Sequence, residues 1–221
     1  MTPQEIETAA RRLMNVTGDS FWSSDEIISN YLYFAALEMA QETFCIENRY
    51  TTSSVADQKE YAVVSRALAI KRVEFDGQKL RPITLTQLDS IDLNTNTTIT
   101  GTPQYYYWFD ESIGLYPVPS TADLTIKIYT LDRPPALTTA STTTEIPEQF
   151  HHHLVIGTAW YMAMKELGHP HLDRFQFQWN NPSNRNNAIM QVKKSMKLRN
   201  KDQLHVVIRE EDQPSTPLGM V

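Results

Sequence analysis

A single cysteine, Cys45, in a chain of 221 residues excludes an intramolecular disulfide and fits a reducing compartment. No apolar run approaches the roughly 18 residues that a spanning helix needs. The segment after Met1, TPQEIETAARRL, has no apolar core of signal-peptide length. The expectation is a soluble protein made in a cytoplasm, with no membrane partner. Positive charge is also short: 20 Lys and Arg stand against 26 Asp and Glu, a net charge of -6. Tight non-specific binding to nucleic acid rests on neutralising phosphates with Lys and Arg, so it is not expected here. The motifs GxxxxGK[ST], GxGxxG and GxSxG are all absent, which removes phosphate-loop, dinucleotide and nucleophile-elbow chemistry. What remains is ordinary globular composition, 41% hydrophobic and 21% charged, with enough chain to bury a sizeable core.

Residues 1–60 read as helical. In TPQE, Thr2 takes the N-cap, Pro3 the first helical position and Glu5 the capping-box position, and this helix should end before Gly18. SSDE repeats the signal, with Ser23 as cap, Glu26 three residues on and Asp25 at the positive helix end. Ile28, Tyr31, Leu32, Ala35, Met39 and Phe44 then recur with helical spacing as one buried face. Cys45, placed on that helix, reads as a small buried residue rather than a nucleophile.

From about residue 66 to 132 the period becomes two. Ile70 to Phe75 leads into Asp76-Gly77, a strong hairpin signal, and Leu80, Pro82 and Ile83 continue beyond it. PQYYYWFDESIGLYPVP predicts a second hairpin turning between Asp110 and Ser112. Tyr105, Tyr107 and Phe109 then share one side, with Tyr106 and Trp108 on the other. In DLTIKIYTL, Leu124, Ile126 and Ile128 alternate with Thr125, Lys127 and Tyr129 as a further strand. Asn94 to Gly101 is a polar loop, and RPPALTTASTTTEIP an irregular linker rather than a packed element. Helices resume at Pro147. One ends at Gly168 and Pro170; another starts near His171, breaks at NNPSN and resumes from Ser183 to Leu198. The fold class expected is therefore α+β: a helical bundle formed by the N- and C-terminal segments, an inserted antiparallel β-sheet or barrel, and an extended C-terminal tail. The corresponding divisions are residues 1–60, 61–140, 141–200 and 201–221.

Half of the six histidines lie side by side as His151, His152 and His153. On a helix, Phe150, His153, Leu154, Ile156, Gly157, Trp160, Tyr161, Met164 and Leu167 share one broad face. His151 falls among polar positions, and His152 near a boundary. Three consecutive helical residues diverge and cannot converge on one ion. A helical metal pair needs ligands three or four apart, and those positions hold Leu154, Val155, Ile156 and Gly157. Glu148 is spaced for a first-turn contact with His151 or His152. No metal ligand, cofactor site or catalytic residue is expected. The run Tyr105, Tyr106, Tyr107, Trp108 and Phe109 admits a stacking role on sugars or bases, but strand alternation places about half of these rings in a core and the others at a subunit contact.

The succession FWSSDEIISNYLYFAALEMAQE, LAIKRVEFDGQKLRPIT, GTPQYYYWF with IGLYPVPS, and EIPEQFHHHLV resembles the head–tail adaptor (connector, head-completion) proteins of tailed bacteriophages. The resemblance runs from about Phe21 to Leu167, and its specificity lies in order and spacing. NNPSN departs from an uninterrupted last helix. The resemblance implies a non-enzymatic virion protein of the phage neck, without a cofactor. It implies a homo-oligomeric ring, typically twelve-fold, between the portal and a tail, nozzle or next neck protein, through which DNA passes without specific binding. In the tail, Leu204, His205, Val206, Val207, Ile208 and Arg209 form a short β-prone run beside acidic residues, suited to strand addition on a partner. The competing reading is an aromatic-rich binding module of a phage tail that contacts a glycan or a single strand.

Overall fold

The computed structural model describes residues 1–16, 18, 21–91, 99–166 and 169–199. The first helix, α1 (Pro3–Met14), starts on the expected capping box. The Thr2 hydroxyl accepts from the Glu5 amide, the Glu5 carboxylate accepts from the Thr2 amide, and Asn15 closes the other end in the left-handed region. The second helical stretch begins as α2 (Ser24–Glu26) with Ser23 capping the Glu26 amide. It widens to a π-helix over Ile27–Leu32 and continues as α3 (Tyr33–Thr43). Ile27 packs into one apolar cluster and Ile28 into another, so the widened turn serves two cores.

Helix formation stops at Thr43, earlier than the expected boundary near residue 60. Phe44 adopts the left-handed conformation and is exposed, so it ends the stripe rather than joining its buried face. Cys45, two residues beyond the helix, is buried, and burial pushes its thiol pKa up. The chain then enters strand β1 (Glu47–Ser53).

β2 (Glu60–Ala62), β3 (Ala67–Phe75), β4 (Gln78–Lys79) and β5 (Arg81–Pro82) follow. Beyond the helix α4 (Leu85–Ile91) come β6 (Thr100–Gly101), β7 (Tyr105–Phe109), β8 (Ser112–Tyr116), β9 (Val118–Pro119) and β10 (Thr125–Asp132). Asp76 and Gly77 turn with positive φ, matching Glu74 with Lys79 and Phe75 with Gln78. Asp110 and Glu111 do the same for β7 and β8, where the sequence placed the turn. The strands form two open four-stranded sheets, β1-β10-β3-β4 and β2-β8-β7-β5, and a small β6-β9 pair. Two expectations change here. The sheets do not close into a barrel, and β5 with β7 and β6 with β9 pair in parallel. The cause is a sheet switch: Leu80 still bonds back to Val73, but the Arg81 amide bonds to Gln104. Val73, Phe75, Ile126 and Ile128 of one sheet meet Tyr106, Ile113 and Leu115 of the other in a single buried cluster. Each such side chain contributes about 1.5–3 kcal/mol by leaving water.

Residues 133–147 have no long regular element, as expected, but they are packed. Leu137 and Ile146 are buried among the helices, and Gln4 Nε2 donates to the carbonyls of Thr139 (2.6 Å) and Ser141 (3.1 Å). A 3-10 turn (Glu148–Phe150) leads into α5 (His151–Lys165), and then come α6 (Leu172–Trp179) and α7 (Ala188–Arg199). The NNPSN interruption is real. The restart comes at Ala188 rather than Ser183, because Asn187 Oδ1 accepts from the Met190 amide (2.7 Å) and caps the new helix. Gly168, the expected stop, lies outside the described residues. α1, the π-helical turn, α3 and α6 pack on α5, so both ends of the chain build one helical body with the strands inserted between, an α+β fold.

Candidate functional site

The histidine run was the first candidate for chemistry, and the structure separates its members. His152 is exposed, whereas His151 and His153 are buried. His151 corrects the expectation that it lies on a polar face, because the packed strap 133–147 covers that side of α5. The N-terminal ammonium can only donate, so Nδ1 of His151 accepts from it (2.9 Å). Nε2 then carries the proton and donates to the Ile146 carbonyl (2.8 Å), with the Thr144 hydroxyl at 3.0 Å. Glu148 pairs with the same ammonium (3.8 Å) instead of a histidine. His153 is held near a pKa of about 4, mainly by burial and also by its neighbour His152. Among the described residues no group of three or more His, Cys, Asp or Glu is placed to hold a metal ion.

A second polar cluster does structural work inside the helical body. Glu38 of α3 accepts from Tyr161 Oη (3.1 Å) and Trp179 Nε1 (2.6 Å) on one oxygen, and from Asn180 Nδ2 (2.7 Å) on the other. This joins α3, α5 and the end of α6. Nearby, Lys165 Nζ reaches Glu26 (2.6 Å) and the Phe21 carbonyl (2.9 Å), and it lowers the Glu26 pKa; Tyr31 Oη also donates to Glu26 (2.6 Å). The sequence carried no signal for either cluster, since Glu38 and Lys165 both find their partners more than a hundred residues away. A concavity of about 520 Å³ along α1, lined by Met1, Gln4, Glu5, Thr8, Ala9 and Arg12, offers no acid–base pair.

The two sides of the aromatic run follow its alternation, but rings on both sides are buried, so exposure is set by closeness to the hairpin tip rather than by side. Tyr106 enters the cluster between the sheets; Tyr107 and half-buried Tyr105 pack on the opposite side with Leu88 and Tyr116. Burial and the Glu60 carboxylate, which accepts from its hydroxyl, push Tyr107 up to about 12. Trp108 and Phe109, at the hairpin tip, are 41% and 61% exposed. A stacking platform needs several adjacent free ring faces, and this strand presents two. Leu85 and Ile91, flanking buried Leu88 on α4, add further exposed apolar surface that the sequence reading did not single out. The tail run Leu204 to Arg209 lies outside the described residues.

A family model described as SU10 adaptor protein matches residues 1–196 of the chain. The chain belongs to the SU10 adaptor family. It is thus a phage structural adaptor, as the resemblance to head–tail adaptors implied. The match spans both ends of the helical body and the sheets between them, and a phage structural adaptor family is typically non-enzymatic. No curated protein matches the chain. Among the described residues no helix is long and apolar enough to cross a membrane.

Proposed function

We propose that this adaptor forms a closed homo-oligomeric ring, twelve-fold as adaptors of this kind typically are, beneath the portal of the phage head. There it joins the head to the tail, nozzle or next neck protein and extends the DNA channel. The family match over residues 1–196 carries the reading. Several features support it. A ring needs head-to-tail contacts that close, and Trp108 and Phe109 at the hairpin tip, with Tyr105, Tyr106 and Tyr107 bracing the strand behind them, offer an apolar knob for one side of such a contact. The net charge of -6 lets DNA pass a channel wall without sticking. Residues 204–209 dock as an added strand or strap on the portal or a neighbouring adaptor. One tail binds weakly because ordering has an entropic cost, while many tails on a ring hold firmly by effective concentration. The test is an image reconstruction of the particle neck together with co-purification of the adaptor with the portal. A ring of this chain in the neck supports the reading. A chain found only on tail fibres, or binding glycans as a monomer, overturns it.

A further inference from the structure

Charge is divided unevenly along the chain. Residues 169–199, which include α6 and α7, hold six Lys and Arg against one acidic residue, Asp173, although the chain as a whole is at -6. α7 gathers part of this charge on its outer side. Ile189, Val192 and Met196 are buried in the helical core, so Met190, Lys194 and Lys197, four and then three residues apart, form one exposed stripe. Lys194 Nζ donates to the Arg185 carbonyl (3.0 Å) and to Asn186 Oδ1 (3.3 Å). These bonds bring Arg185, itself exposed, beside the stripe without neutralising a charge. Lys193 is turned aside onto Glu42 (2.6 Å). The opposite combination stands at the turn between β7 and β8. Trp108 and Phe109 are exposed there, and so are Asp110 and Glu111, which follow them. Both acidic residues hold positive φ, and the Val63 amide bonds to the Glu111 carbonyl (2.7 Å), so the tip presents two rings and two carboxylates in a fixed shape. Among the described residues no ion pair includes Asp110, Glu111, Arg185, Lys194 or Lys197. The tip belongs to the sheets, whereas α7 packs on α3, α5 and α6. The chain carries both halves of a contact that it does not make with itself.

Resting on the ring reading above, we propose that the β7–β8 tip of each subunit seats on the α7 stripe of the next copy. Asp110 and Glu111 then meet Lys194, Lys197 and Arg185, and the rings of Trp108 and Phe109 cover Met190. Complementarity of two kinds selects a second copy as the occupant. A DNA duplex would offer the stripe charge alone, whereas the tip offers carboxylates for the cations and apolar area for the methionine. The charges steer the approach and fix the register, and the aromatic anchors hold the contact once water has left it. Because tip and stripe are different surfaces of one subunit, the contact is heterologous. Each copy gives its tip to one neighbour and takes a tip from the other, a series that closes as a ring.

The test measures how much full-length adaptor is retained on portal-bearing heads. A tip variant, Asp110→Asn with Glu111→Lys, makes the tip positive; asparagine is chosen because it tolerates positive φ. A stripe variant, Lys194→Glu with Lys197→Glu, makes the stripe negative. All four positions are exposed, so the melting curves should move little. Each variant alone should be retained about tenfold less than wild type, because like charges then face each other across the contact. A mixture of the two should recover, since alternating copies restore opposite charges at every contact. A contact inside one chain gives no such recovery, because each variant chain still carries tip and stripe of the same sign. Retention of either variant alone at the wild-type level overturns the inference, and so does loss without recovery in the mixture. Duplex DNA binding by wild type that the stripe variant abolishes would, in that second case, assign the stripe to DNA. A second measurement needs no charge reversal. On the same heads, Glu111→Cys protein mixed with mass-tagged Lys197→Cys protein should be joined across chains by a short bismaleimide; native Cys45 is buried. Wild type absent from heads would overturn the adaptor reading itself, whereas wild type retained without that cross-linked product overturns only the tip-to-stripe contact.

Discussion

The six-membered ring of Trp179 occupies the space where a side chain at position 157 would begin: a Cβ on Gly157 would stand 2.7 Å from Cη2 and 2.8 Å from Cζ3 of the indole. Gly157 is the notch in α5 that lets the end of α6 dock, and the same indole donates to Glu38. Gly157→Ala should cost about 1–3 kcal/mol by overpacking, a fall in Tm of about 4–8 °C for a chain of this size at the middle of that range. In a double-mutant cycle, Gly157→Ala should cost less in a Trp179→Leu background than in the wild-type chain, because the indole it collides with is gone. Equal or additive losses in thermal melts would show that the two residues are not in this contact.

Glu38→Ala should destabilise the helical body by about 2–3 kcal/mol, since three donors from Tyr161, Trp179 and Asn180 lose their acceptor together. Urea denaturation followed by tryptophan fluorescence measures the loss. Glu38→Gln should cost less, because the amide oxygen still accepts. A variant as stable as wild type would show that water replaces the carboxylate without penalty.

His153 makes stability fall in mild acid. Its folded-state pKa, about 4, lies below the ordinary histidine value of 6.5, so the unfolded chain takes up the proton first. The contribution of the neutral ring is whole above pH 6.5 and is lost as pH falls toward 4. His153→Gln should flatten the plot of urea midpoint against pH in that window, while His152→Gln, which removes the smaller of the two causes, should change its shape only slightly. A wild-type plot already flat between pH 6.5 and 4 would contradict the burial argument.

Elemental analysis of purified protein should find no stoichiometric zinc, copper or nickel. His151→Ala should nonetheless lower the Tm, because the Ile146 carbonyl loses its donor, and His152→Ala should leave it unchanged. Zinc at one equivalent, lost on substitution of the three histidines, would reverse the assignment of this run to structure.

Truncation after Asn200 should leave a folded, soluble subunit that no longer joins portal-bearing heads. Docking of the truncated protein as efficiently as the full chain would show that residues 201–221 are not the docking element.

Local signals were legible because they depend on neighbours in sequence. Both helix starts, both two-residue hairpin turns and the alternation of Ile126 and Ile128 follow from residues within a few positions of one another. The burial of His151 was not, because its polar side is polar only until residues 144–146 arrive from a strap that looks like solvent-facing linker. Strand β1 was hidden by composition: ENRYTTS has little apolar content, and only its register against β10 makes it a strand. The parallel pairing of β5 escaped notice for a related reason. Arg81 and Pro82 continue the pattern of the preceding strand, and nothing local reports that Leu80 is where the chain changes sheets. Of the candidate contacts, the aromatic strand was readable at the level of which ring faces which way.

Because α1 and α3 bury their apolar faces against α5 and α7, the order of synthesis matters. On the ribosome the first 43 residues emerge about a hundred residues ahead of the helices that cover them. At translation rates of about 5–20 residues per second, this leaves Ile6, Ile28, Leu32 and Met39 without their final partners for about 5–20 seconds. The sheets, whose strands all lie within residues 47–132, can pair during that interval. Nascent chains of this adaptor therefore pass through a stage with a formed sheet sandwich and an uncovered helical pair, the point at which a chaperone would engage them and at which a stalled or prematurely terminated chain would aggregate.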